Sequence, residues 1–189
     1  MRNIIISLFL LMCAYLLWPY ISVFGLYVAL KTGDVVGVEE RVDWSSLKTN
    51  LKMDLDNMIK VKLKESLNKK KIRFSFDSLT LSKKISDKTA TPEGLIFLFN
   101  KPNEFVEQIS ETFKNTLPPA KINPPAPEKK SFELEEPNFP DLFKRIKYAF
   151  FIEPNGFRLS FSEGSLSFTM DWRLEGLFWK LTRLKIPIK

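Results

Sequence analysis

The hydrophobic positions change their period three times along the chain. Residues 4–30 carry no charge, and Ile4 to Trp18 are almost wholly Ile, Leu, Phe and Ala, interrupted only by Ser7. A membrane-spanning helix needs about 20 mostly apolar residues, and Asn3 to Ser22 supply them. Trp18 and Tyr20 lie near the far end, where aromatic rings with a polar edge favour the lipid–water boundary. Pro19 falls there too, and the residue before a proline is pushed out of the helical region. The span is therefore predicted to kink or end at Pro19.

Residues 20–31 continue apolar. Lys31 suits the negative end of a helix dipole, and Gly33 is placed to cap that helix. Ser22, Gly25 and Ala29 form a small-residue face that another backbone could approach closely. Asp43 or a following serine caps the next helix. There Leu47, Leu51, Leu55, Met58, Ile59, Leu63 and Leu67 recur at three and four, the helical repeat. Ile72, Phe74 and Phe76 alternate like a strand, but Leu79 and Leu81 shift the phase. Thr91 as cap with Pro92 in the first position starts another helix, which Pro102 breaks or divides in two.

Past a proline-rich stretch the period becomes two. Phe157, Leu159 and Phe161 alternate with Arg158 and Ser160; Leu166, Phe168, Met170, Trp172 and Leu174 alternate with Ser167, Thr169, Asp171 and Arg173. Such alternation buries one sheet face and wets the other. Turn signals at Pro154-Asn155-Gly156, Glu163-Gly164-Ser165 and Glu175-Gly176 divide the region. With Tyr148 to Ile152 before and Phe178 to Ile186 after, they define a four-stranded antiparallel meander. Only the upstream helices can cover its apolar face, so the fold class is α+β. The division is 1–22 as membrane anchor, 23–116 as the helical part of the domain, 117–140 as linker or exposed loop, and 141–189 as the meander. The linker reading rests on seven of the twelve prolines falling in 117–140.

Composition removes whole classes of chemistry. The 189 residues include no histidine and one cysteine, Cys13. A Ser-His-Asp triad, a Cys-His dyad and a His-ligated metal are thereby excluded, as is an intrachain disulfide. Cys13 reads as an apolar filler of the span. No cofactor, metal or catalytic residue is expected, and the chain is read as not being an enzyme. Ser45-x-x-Lys48 and Lys31-Thr32-Gly33 match elements of penicillin-binding enzymes, but in reversed order and in too small a domain. Glu39-Glu40, Asp54, Asp56, Glu133, Glu135, Glu136 and Asp171 read as solvated surface. Trp44, Trp172 and Trp179 read as core.

Of the net charge of +7, residues 31–90 contribute +5. Lys60, Lys62, Lys64, Lys69, Lys70, Lys71 and Arg73 form its densest run. Contact with an anionic lipid surface is one reading, at about 1 kcal/mol per basic residue near the membrane. Phosphate contact with nucleic acid is weaker, since no Gly-rich phosphate loop or RNA-binding aromatic motif accompanies it. A solvated helix face is the plain alternative.

The N-terminal segment has competing readings as well. A cleaved signal peptide wants small residues at its cleavage site, whereas Leu11-Met12-Cys13-Ala14-Tyr15 is bulky. Met12 is also too large to precede a lipoprotein cysteine. A buried core helix stays open. An uncleaved single-pass anchor accounts for both the uncharged length and the aromatic flank.

The residues Pro19-Tyr20, Ala29-Leu30, Gly33-Asp34, Val42-Asp43, Leu47-Lys48 and Leu51-Lys52 resemble an uncharacterised bacterial family, domain of unknown function 2939. So do Thr91 to Leu95 and the ending Gly176 to Thr182, in order and spacing, from about residue 19 onward. The resemblance implies a small protein of Gram-negative bacteria with an N-terminal hydrophobic helix and one domain, and no assigned activity. The order of helix, Gly-Asp, helix and late antiparallel sheet also resembles the cone-shaped nuclear transport factor 2-like fold, an analogy of fold alone. The expected role is an envelope protein of the inner membrane with a periplasmic domain, non-catalytic, that binds another envelope protein or a small apolar ligand. A lipid-surface module using residues 60–73, or an enzyme of unknown class, are the alternatives.

Overall fold

The computed structural model describes residues 2–69, 78–115, 136–163 and 166–186. Seven helices precede four strands among these residues: α1 (Arg2–Thr32), α2 (Val35–Glu40), α3 (Trp44–Lys69), α4 (Ser78–Thr89), α5 (Pro92–Asn100), α6 (Pro102–Asn115), α7 (Phe139–Arg145), β1 (Ile146–Glu153), β2 (Gly156–Glu163), β3 (Leu166–Glu175) and β4 (Phe178–Lys185). The strands pair antiparallel in the order β1-β2-β3-β4, the expected meander. The class is α+β.

Of the two outcomes expected at Pro19, the structure rejects a helix end. The helix neither ends nor breaks there; α1 runs for 31 residues with Pro19 inside it. A proline within a helix removes the N–H that would bond the carbonyl four residues back. Here that proline is buried in the domain, and the rings of Tyr15 before it and Tyr20 after it pack on Phe151 and Phe157 of the sheet. From Val23 onward the inner face of α1, with Leu26, Ala29 and Leu30, is domain core. Gly33 then ends α1 at φ 67°, in the left-handed region where a glycine costs least.

The small-residue face receives α2, which the hydrophobic pattern did not announce. Asp34 caps it by accepting from the Gly37 N–H at 3.0 Å. Asp34 N–H donates to the Ala29 carbonyl at 2.9 Å. A Cβ on Gly37 would lie 3.1 Å from that of Ala29.

Asp43 caps α3, accepting from the Ser46 N–H at 3.1 Å. Burial raises its pKa, but hydrogen bonding with Ser46, and further with Glu175 and Ser45, outweighs that and holds it below the usual carboxylate range. Leu47, Leu51, Leu55 and Ile59 of α3 are buried at the predicted repeat. Just upstream, residues 41–43 lie along β4: Val42 bridges Leu181 in parallel, and main-chain bonds of 3.0 Å join Asp43 N to Leu181 O and Leu181 N to Arg41 O.

Two segments differ from the sequence reading, and a third settles an alternative it left open. The segment around Leu79 and Leu81 is helix α4, and Ile72, Phe74 and Phe76 lie outside the described residues. Much of the buried face of α4 is polar and small. Ser82 and Ser86 are wholly buried, their hydroxyls donating to the Leu79 and Lys83 carbonyls at 3.0 and 2.9 Å. The interruption at Pro102 does divide two helices, α5 and α6. The C-terminal end of the stretch 117–140 is α7 rather than loop. Asn138 caps it by accepting from the Asp141 N–H at 3.2 Å, and Pro140 sits in the first turn, where no N–H is needed. Residues 117–135 lie outside the described residues.

In the sheet, Phe157, Leu159, Phe161, Leu166, Phe168, Met170, Trp172, Trp179, Leu181 and Leu184 face the helices and are buried. A bulge in β4 opposes both Thr182 and Arg183 to the region of Asp171, so that Leu184 returns to the buried face.

Candidate functional site

A cavity of about 290 Å³ lies between α1, α5, α7 and the buried sheet face. Ligand sites begin at about that size and are mostly apolar with a few convergent polar groups. One wall is Val23, Leu26, Tyr27, Leu30 and Lys31, which the helical repeat stacks on one side of α1. The opposite wall is Leu159 and Phe161 of β2 with Phe168, Met170 and Trp172 of β3, aligned by the strand period. Leu98 and Phe99 close the α5 end; Leu142 with Asp141 and Arg145 forms the α7 side. Glu136 and Asn138 complete it.

α7 is held to α1 by aromatic contacts. Phe24 lies 5.7 and 5.4 Å from the rings of Phe139 and Phe143. The Tyr27 hydroxyl donates to the Asn138 carbonyl at 3.2 Å. Charge enters the lining through Lys31 and Arg145 on one side of the ledger and Glu136 and Asp141 on the other. Trp172 contributes a buried indole N–H that has no acceptor among the described residues. An unsatisfied buried donor costs roughly 1–3 kcal/mol. The lining can enclose an apolar body.

The polar face of the sheet carries a different arrangement. Arg158 and Asp171, opposite each other on β2 and β3, form a two-pronged pair at 2.6 and 2.9 Å. Arg183 faces Asp171 across β3 and β4 and makes a second such pair with Asp54 of α3, at 2.8 and 2.5 Å. Hydrogen bonding to these carboxylates outweighs desolvation and raises both arginine pKa values above their usual level. The reading of Asp54, Asp56 and Asp171 as solvated surface is thereby corrected. Asp54 and Asp171 retain only 16% and 14% side-chain exposure, and Asp56 is buried with Lys60 at 2.5 Å. Strand register and the β4 bulge bring these charges together, and neither is visible in the local spacing. Asp43 and Asp171 are each engaged outside the cavity, and neither lines it.

The structure separates the other singled-out residues. Trp18 is exposed on α1, whereas the Tyr20 hydroxyl donates to the Ala149 carbonyl at 3.1 Å and its ring meets Phe157 edge-on. In the basic run, Lys60 is engaged by Asp56. Lys62, Lys64 and Lys69 belong to the last turns of α3, their side chains outside the described residues, as are Lys70, Lys71 and Arg73. Glu39 and Glu40 are exposed; Glu133 and Glu135 lie outside the described residues. Trp172 and Trp179 are core, and Trp44 packs against it. The cavity itself escaped the sequence reading. Its only signal was the run of apolar residues on one face of 23–31, which predicts burial without predicting a gap.

The molecule is thus an α+β domain whose first helix extends beyond it, long and apolar enough to cross a membrane or to serve as a signal sequence. Residues 8–98, just under half of the chain, match the model of the family described as "Protein of unknown function (DUF2939)", the family that the sequence resembles. The match begins earlier than residue 19 and takes in the apolar helix; the ending Gly176 to Thr182 lies beyond it. No curated protein and no solved structure matches the chain.

Proposed function

We propose that this is a non-catalytic, membrane-anchored binding protein whose cavity takes a small apolar ligand. The observation that carries this reading is the cavity of about 290 Å³ enclosed by apolar side chains of α1 and the sheet. The placement we propose is a single pass through the bacterial inner membrane with the domain in the periplasm. The continuity of α1 supports retention of the anchor. The helix that carries the apolar span also contributes Val23, Leu26 and Leu30 to the core, with no connecting segment between the two roles.

A nitroxide-bearing C8 carboxylic acid, titrated onto the full chain in nanodiscs, tests the binding reading through quenching of tryptophan emission. Saturable quenching is expected, lost in Trp172→Phe and weakened at least about tenfold by Leu159→Trp, which fills the cavity. Leu26→Phe serves as a milder second filling. Quenching that does not saturate, or that ignores these substitutions in folded protein, would contradict the reading.

A further inference from the structure

The apolar span and the domain overlap, and the overlap has a consequence for how the domain sits on a bilayer. Tyr15 already touches the sheet: its ring stacks on Phe151 at 5.9 Å and its hydroxyl donates to the Pro154 carbonyl. Within α1, the stretch from Asn3 to Ala14 lies ahead of that contact, roughly 18 Å of helix at 1.5 Å per residue. The hydrocarbon layer is about 30 Å thick. A free span shorter than that is accommodated by local thinning of the bilayer, which draws the contacting end of the domain down to the interface with Tyr15–Ser22 running alongside the domain. On the flank turned from the sheet this stretch stays apolar and exposed, at Leu16, Leu17, Trp18 and Ile21.

The end of the sheet beside this stretch is also apolar. Leu174 N–H donates to the Asn155 carbonyl at 2.9 Å, and Phe151 meets Trp179 at 5.7 Å, so the β1–β2 turn and the β3–β4 hairpin lie side by side. At this end Leu177 and Phe178 are 71% and 67% exposed, with Ile152 exposed on β1. Gly176, at φ 62°, presents Leu177 at the turn. Two ion pairs stand just behind the tip, Glu153 with Arg173 at 4.0 Å and Glu175 with Lys180 at 3.9 Å. Charge resists entry into hydrocarbon, so they limit immersion to the interfacial layer.

We infer that the Leu177–Phe178 hairpin tip is a second membrane contact, seated in the interfacial layer of the same bilayer that α1 crosses. The lipid occupant follows from the shortfall in free helix length and from the exposed apolar tip standing at the end of the sheet that Tyr15 contacts. This inference rests on the anchor reading above.

The test uses the full chain in phosphatidylethanolamine–phosphatidylglycerol vesicles, with Cys13→Ser as background. A nitrobenzoxadiazole label is placed in turn at Leu177→Cys, at Leu8→Cys in the span, and at Ser167→Cys. The last is an exposed site about 30 Å along β3 at strand rise. The label at 177 is expected to emit to the blue of that at 167 and to be quenched by aqueous iodide at least about threefold less. Equal quenching at 177 and 167, with the label at 8 shielded, overturns the inference and leaves the anchor standing. Free access of iodide to the label at 8 overturns both.

Discussion

The two halves of α1 have nearly the same chemistry and opposite surroundings. Ile4 to Met12 are all exposed, while Val23, Leu26, Ala29 and Leu30 are almost completely buried. Apolar composition is thus no guide to which half builds the domain. What separates them is spacing and partner. The second half places small residues where α2 approaches and larger ones against the sheet, whereas the first half is apolar on every side. A helix apolar all round must be covered by something, and for the first half no described part of the chain does so.

The comparison can be broken most forcefully in the core. Leu30→Ala should lower the unfolding free energy of the domain by about 2–5 kcal/mol, because a cavity is left beside existing empty space. Leu10→Ala should leave it unchanged, since that side chain touches no described part of the domain. Chemical denaturation followed by tryptophan emission measures both; equal effects would erase the distinction between the halves.

A smaller effect is expected where backbone meets backbone. A Cβ on Gly94 would lie 2.4 Å from the Lys88 carbonyl oxygen and 2.7 Å from that of Thr89. Gly94→Ala should therefore cost about 1–3 kcal/mol by overpacking, read as a drop in Tm. A neutral outcome would show that the α4–α5 junction is looser than described.

Smaller still is the cap of α3. Asp43→Ala should cost about 1 kcal/mol. Because the native carboxyl titrates below its ordinary value, its stabilisation is present above the unfolded pKa and declines as pH falls through the lowered native one. The difference in Tm between wild type and Asp43→Ala should therefore persist at pH 6–7 and shrink below about pH 4, near the ordinary Asp pKa. A difference that grew on acidification would have the wrong sign.

Much of this architecture could be read before the structure. Strict alternation from Phe157 to Leu174 predicted the sheet face, and the leucine repeat of 47–59 predicted α3, because each element buries residues that differ sharply from their neighbours. Gly33, Asp43, Thr91 and Pro92 marked helix ends through local hydrogen bonding that needs no tertiary context. The reading failed where burial is not apolar or not local. α4 hides Ser82 and Ser86 in its packed face; α2 and α7 are too short to show a repeat; the Arg158–Asp171–Arg183–Asp54 arrangement depends on register and a bulge. The cavity draws on four separate stretches of chain, so no window of sequence contains it.

The account's central claim is that one uncut helix serves as both anchor and core. The intact mass of the protein recovered from native membranes tests this most directly. The account predicts extraction only with detergent and a mass that includes the N-terminal residues through Met12. A detergent-free soluble species whose mass begins beyond Ala14 would contradict it.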